Sequence, residues 1–158
     1  MQILIGDIGN TLIKLCLVDK MSIVIKEYNI ETVKIIKKKN LINFLDPILN
    51  KNIQKKILFS SVVPEAYKKI NKFLKKKKYQ VYEIKKLPIN KLIKIKIDKY
   101  SQLGSDRIAN AIAAYSLYRK NCLIIDFGTA TTFDIVRKPG IYEGGVIAPG
   151  VKLSILNL

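Results

Sequence analysis

The chain has 158 residues, 49% of them hydrophobic, and a net charge of +17. That is enough apolar material to pack a core, which excludes disorder, and enough length for one domain, or a small domain plus part of another. The 26 lysines and three arginines are scattered through Ile- and Asn-rich sequence and lack aromatic interleaving, so a solvated basic surface is expected and a nucleic-acid partner is not.

No run of eighteen uncharged apolar residues occurs, and no basic segment precedes an apolar one at the amino end. A membrane span and a signal peptide are therefore not expected. Cys16 and Cys122 each lie in an aliphatic run without a partner at metal-ligand spacing, which fits reduced core residues in a cytoplasmic protein. With no histidine in the chain, any general base must be a carboxylate, Lys or Tyr.

In chain order, residues 1–6 and 11–18 read as two strands of a hairpin turning at 7–10, and 22–30 reads as a third strand. Residues 32–49 carry Val33, Ile36, Leu41, Phe44, Leu45 and Ile48 at nearly helical spacing, which predicts one helix with Thr32 as its cap and Pro47 trimming its end. A buried strand follows at 57–63, then a helix opened by Pro64 and Glu65, with Ala66, Ile70, Phe73 and Leu74 inward. Residues 79–84 alternate as a fifth strand. Residues 88–99 read as an extended lysine-rich linker.

Residues 101–118 predict a helix whose inner face holds Ile108, Ala111, Ile112 and Tyr115, with Asp106 and Arg107 in its first turns. Taken alone, those two residues are equally a capping Asp and an exposed Arg. The aliphatic run from Cys122 ends at Asp126, Pro139 and Gly140 turn the next hairpin, and Gly144, Gly145 and Gly150 punctuate 142–154.

Two stretches share one design. ILIGDIGNTLIKLCLV at 3–18 and LIIDFGTATTFDIV at 123–136 each run an aliphatic strand into Asp-x-Gly, followed by small hydroxyl or amide residues. Glycine permits a tight turn and close approach, and successive amides in such a turn attract anions. Asn10, Thr11, Thr129, Thr131 and Thr132 add donors. Asp7 and Asp126 would repel phosphate, so their task in such a site is to carry the bridging cation. Asp-x-Gly also marks ordinary hairpin turns, but a repeat at domain spacing implies duplicated halves.

Paired phosphate hairpins on duplicated halves resemble the actin, sugar kinase and heat-shock ATPase superfamily. Within it, DIGNT, GSDR, DFGTATTFD and GGVIAPGVKLS resemble type III pantothenate kinase over nearly the whole chain, in the family's order. The resemblance implies an α/β, ribonuclease H-like (actin-like ATPase) fold of duplicated domains with mixed sheets. Its first domain would be 1–119 and its second, starting at 120, incomplete by 158, so that the hairpins after Cys122 expose an apolar face. Little phosphotransferase activity is expected of residues 1–158 by themselves.

The implied activity is ATP-dependent phosphorylation of pantothenate with Mg2+ and a monovalent cation, K+ or NH4+, in a homodimer. Asp7, Ile8, Gly9, Asn10, Thr11, Leu12, Ile13 and Lys14 would form the first ATP-binding stretch, joined by Thr129; Asp7 is the candidate for magnesium and Asp126 for the monovalent cation. Gly104, Ser105, Asp106 and Arg107 would bind pantothenate, Asp106 as general base and Arg107 as a fork for the carboxylate. The chain departs from the family at Ser105, usually Ala, and at Ile97, often Tyr. SSVVPE at 60–65 matches a loop near the family's cleft, although Ser60 and Ser61 alone read as structural. The alternatives are a non-catalytic transcriptional regulator of the same fold, against which Asp7, Asp106, Arg107 and Asp126 argue, and a lysine-driven nucleic-acid module.

Overall fold

The computed structural model describes residues 2–35, 37–49 and 52–156. They form two compact units, Met1–Lys86 and Leu87–Leu158.

In the first unit, β1 (Gln2–Ile8), β2 (Leu12–Val18) and β3 (Val24–Glu31) form an antiparallel meander. Next come α1 (Thr32–Ile35), α2 (Lys38–Leu49), β4 (Ile53–Ser61), α3 (Pro64–Lys76) and β5 (Gln80–Glu83). β4 pairs parallel with β1 and β5 parallel with β4, giving the mixed order β3-β2-β1-β4-β5. Alternation along the strands puts Leu4, Ile8, Ile13, Leu15, Leu17, Ile57 and Phe59 in the core, where Leu41, Leu45, Ile48, Ile70 and Leu74 of the helices join them. Cys16 is opposite Ile5 on the other face and is half-buried rather than core.

The helix expected over 32–49 is two. The Asn40 side chain donates to the Lys34 carbonyl, which closes α1, and the chain restarts at Lys38. Thr32 is tied to the β1–β2 turn rather than free to cap, which turns Ile35 inward and leaves Val33 exposed. Ile36 lies outside the described residues, as does Met1 of the first expected strand. Pro47 stands inside α2, in its last turn, instead of trimming its end. α3 begins as expected, with Pro64 at its first position and Glu65 in its first turn.

In the second unit, β6 (Lys94–Ile95), α4 (Ser105–Tyr118), β7 (Cys122–Phe127), β8 (Ala130–Arg137), β9 (Ile141–Pro149) and α5 (Val151–Leu156) follow in order. β7, β8 and β9 form an antiparallel meander, β6 pairs parallel with β9, and the sheet order is β6-β9-β8-β7. Residues 88–99 are thus part of this unit and not a linker. The Lys94 and Lys96 amides donate to the Gly140 and Tyr142 carbonyls, and Ile89 and Ile93 are buried.

α4 packs on β7 and β8, so the 105–118 helix, expected with the first domain, belongs to the second unit. It starts at Ser105, later than expected, because residues 100–102 form a separate 3-10 turn. Among the described residues, no helix is long and apolar enough to cross a membrane.

Candidate active site

In the first unit, the sequence DIGNT forms the expected turn. The Gly9 amide donates to the Leu12 carbonyl at 3.0 Å and closes it. That amide is therefore spent inside the turn, and an anion there would meet the groups after it. Thr32, 5% exposed, fastens the turn to α1: its hydroxyl donates to the Gly9 carbonyl at 2.7 Å, and its amide donates to the Thr11 carbonyl at 2.9 Å.

Strand register sets the neighbours of Asp7. Lys14 on β2 and Ser60 on β4 are its direct cross-strand partners, so all three share the face opposite the core. Ser60 is buried, and its hydroxyl has no hydrogen-bond partner among the described residues. Asn10 and Thr11 are exposed at the tip.

In the second unit, β7 runs into Asp126, the Gly128 amide donates to the Ala130 carbonyl at 3.0 Å, and Thr129 is exposed in the turn. Gly150 lies beneath this turn. A Cβ there would stand 2.4 Å from the Thr129 carbonyl oxygen and 2.6 Å from that of Gly128, so only glycine lets the strands close over it. Asn110 Nδ2 donates to Asp126 Oδ2 at 2.8 Å. Thr132, the cross-strand partner of Asp126, has a buried hydroxyl without a partner among the described residues.

The first turn of α4 carries GSDR. Gly104 is its cap, Ser105 is buried, and Asp106 Oδ1 accepts the Arg107 amide at 2.8 Å. Asn110 is one turn beyond Asp106, so a single helix presents Asp106 and the residue that holds Asp126.

The Arg107 side chain, 12% exposed, runs to β8, where Asp134 Oδ1 accepts Nε at 2.8 Å; Nη2 stands 2.6 Å from the same oxygen as an ion pair, and is buried with no hydrogen-bond partner among the described residues. Asp134 is fully buried and also accepts the Tyr142 hydroxyl at 2.5 Å. Burial works to lower the Arg107 pKa, but the hydrogen bond and charge of Asp134 outweigh it and the pKa is raised. Burial, then Asp134, push the Tyr142 phenol far above its ordinary value.

Beside this trio is a pocket of about 300 Å3, lined by Ile97, Lys99, Gln102, Arg107, Tyr142 and Gly145 among others. Ile97 lines it where the resemblance places a Tyr, so that wall is aliphatic.

Thr32, Asn110, Asp134 and Tyr142 were given no site role in the sequence. The Asp106/Asn110 spacing of one helical turn could have flagged Asn110, and the same-face parity of Asp126, Thr132 and Asp134 on neighbouring strands could have flagged Asp134.

The first unit's mixed sheet and the second unit's meander with its crossing helix define the fold of actin-like ATPases and sugar kinases. Similar solved structures include the ethanolamine utilization protein EutJ from Carboxydothermus hydrogenoformans, with a TM-score of 0.57, 14% identity and coverage of 99% of this chain and 56% of that one. A putative 2-dehydro-3-deoxygalactonokinase from Sinorhizobium meliloti gives a TM-score of 0.51 at 10% identity, covering 92% of this chain and 52% of that one.

The family model described as type III pantothenate kinase matches residues 3–158, and the chain belongs to that family. It is 49% identical over 161 residues to a type III pantothenate kinase of Pelagibacter ubique (strain HTCC1062), an alignment covering 99% of this chain and 62% of the relative. A second relative of that name, from Endomicrobium trichonymphae, is 59% identical over 59 residues, 36% of this chain and 23% of its own. The chain thus spans less than two thirds of the length of these relatives.

Proposed function

We propose that this protein catalyses ATP-dependent phosphorylation of pantothenate to 4′-phosphopantothenate, the first step of coenzyme A synthesis. The observation that carries the reading is the adjacency of Asp106 and Arg107 at the start of α4, with Arg107 lining the pocket and a carboxylate behind it. Pantothenate offers a primary hydroxyl to activate and a carboxylate to hold, and these two residues match those needs. Gly104 and Ser105 complete the substrate-contacting turn.

Asp106 takes the proton from the attacking hydroxyl as its oxygen bonds to the γ-phosphorus and the bond to the ADP oxygen breaks. Phosphoryl transfer asks mainly for positioning and charge stabilisation. The stretch Asp7, Ile8, Gly9, Asn10, Thr11, Leu12, Ile13 and Lys14 is the first ATP-binding stretch, with Asn10 and Thr11 exposed at its tip as the phosphate donors and Ile8 and Ile13 buried as its support; Thr129 is assigned an ATP contact of its own.

Among the described residues no group of three or more His, Cys, Asp or Glu gathers as a metal cage. A single carboxylate suits magnesium that arrives with ATP, since that ion keeps water and phosphate oxygens as its other ligands. Asp7 would carry it. The partnerless Thr132 hydroxyl opposite Asp126 supplies a neutral oxygen beside one negative charge, a donor set that fits K+ or NH4+. Both ions supply charge neutralisation when bound. The working form is a homodimer in the cytoplasm.

Asp106→Asn tests the reading. In a protein of the relatives' full length it is expected to lower kcat by ~10²–10⁴ with ATP binding unchanged in calorimetry. Turnover near the parent's would place the base elsewhere.

A further inference from the structure

We infer that Asp134 and Tyr142 are positioning residues for Arg107, fixing which end of the guanidinium meets the substrate carboxylate. The inference rests on the pantothenate kinase reading above and extends it to residues behind the pocket.

A guanidinium has two hydrogen-bonding edges and can face a carboxylate with either. In Arg107 the Nε–Nη2 edge is taken by Asp134, because Nε donates to Oδ1 and Nη2 is paired by charge with the same oxygen at 2.6 Å. Nη2 is buried against that oxygen, so what remains for a ligand is Nη1, and Arg107 lines the pocket. An unrestrained arginine would offer either edge over a wide arc. This one is held to a single presentation.

The clamp is itself held. Asp134 Oδ1 takes a second hydrogen bond from Tyr142, which is 1% exposed and also lines the pocket. Gly145 is the cross-strand partner of Asp134, and a Cβ there would lie 1.9 Å from the Phe133 carbonyl oxygen and 2.8 Å from both Arg107 Nη2 and Asp134 Oδ1. The backbone opposite the pair is therefore bare at the point where the pair needs room.

Nor does stability alone explain the arrangement. Asp134 Oδ2 is buried without a partner among the described residues. Burying a carboxylate so incompletely is costly, and apolar residues of similar volume commonly hold a helix on a sheet as well or better. Orientation of Arg107 accounts for what packing does not.

The test separates this inference from the reading under it. In steady-state assays with ATP and pantothenate on a protein of the relatives' full length, Arg107→Ala is expected to raise the pantothenate KM at least 10-fold. If it does not, the pantothenate reading of the pocket fails. Given that rise, Asp134→Asn is expected to raise the same KM about 10-fold while kcat and the ATP KM stay within two-fold. Tyr142→Phe should move it about three-fold in the same direction.

Adding Asp134→Asn to Arg107→Ala should change the KM no further, because the clamp acts only through the arginine. A merely structural cross-link would instead lower the folded fraction and kcat and leave the pantothenate KM unmoved; that pattern overturns the inference. If Asp134→Asn does not fold, Tyr142→Phe decides, and an unchanged pantothenate KM in it counts against the clamp.

Discussion

The two Asp-x-Gly hairpins share their lettering and differ in what supports them. In the first unit β1 lies between β2 and β4, Leu4 and Ile8 are wholly buried, and the turn is fastened through its backbone by Thr32. In the second, β7 is the edge of its sheet, Leu123 is 64% and Phe127 70% exposed, and the aspartate is held by a side chain, Asn110, from the helix across it. The repeat therefore encodes the turn alone. The first hairpin is fixed by its core and the second by polar contacts, so damage to the first should register as lost stability and damage to the second as altered ligand response.

The largest difference should come from glycines. At Gly6 a Cβ would stand 2.4 Å from the Phe59 ring and 2.7 Å from a Leu15 methyl, both side chains wholly buried. Gly6→Ala is expected to cost about 1–3 kcal/mol of overpacking, measurable in urea unfolding. At Gly128 the nearest atom is the Ala130 carbonyl oxygen at 3.4 Å, so Gly128→Ala should change stability by less than ~0.5 kcal/mol. Equal costs at the two sites would break the contrast.

Next come the fasteners. Thr32→Val strands the hydroxyl's bond to Gly9 and should cost about 1–3 kcal/mol, leaving the cation response within two-fold. On the proposal that Asp126 carries a monovalent cation, Asn110→Ala frees its carboxylate and should raise the cation concentration for half-activation about 10-fold, as loss of a residue that orients a ligand commonly does. Its cost in stability should be the smaller of the two. If Thr32→Val moved the cation requirement and Asn110→Ala did not, the assignment of roles would have to be exchanged.

What could be read from the sequence divides along the same line. The βββαβαβ order of the first unit, Pro64 at a helix start and both Asp-x-Gly turns are local signals, and the structure has them, with the first helix divided in two. Asp134 lies inside DFGTATTFD with no local signal of its own, because its meaning comes from Arg107, 27 positions away. The 88–99 segment read as a linker because two residues of strand are too short to show alternation, and β6 exists only through β9. Thr32 read as a cap because its real partner is a carbonyl 23 residues back. In each case a local rule lost to a contact that only the fold creates.

The smallest effect is a pH dependence that compares one phenol from each unit. Tyr142 is 1% exposed and its pKa is raised by burial and by Asp134; Tyr67 is partly exposed and raised by burial, then by Glu83. The unfolded chain gives up a phenolic proton above pH ~10, while the folded chain retains it, so the unfolded state binds fewer protons there. Stability present below pH 10 is then lost as pH rises, at up to ~1.4 kcal/mol per pH unit for one fully retained proton. Tyr142→Phe should remove most of its share of that slope between pH 10 and 11 and Tyr67→Phe less, read as the difference in urea midpoints at pH 8.5 and 10.5, with lysine titration common to all the proteins compared. A larger flattening from Tyr67→Phe would mean that the second unit's trio opens to solvent more readily than the first unit's surface, and the polar clamp would then be the looser of the two supports.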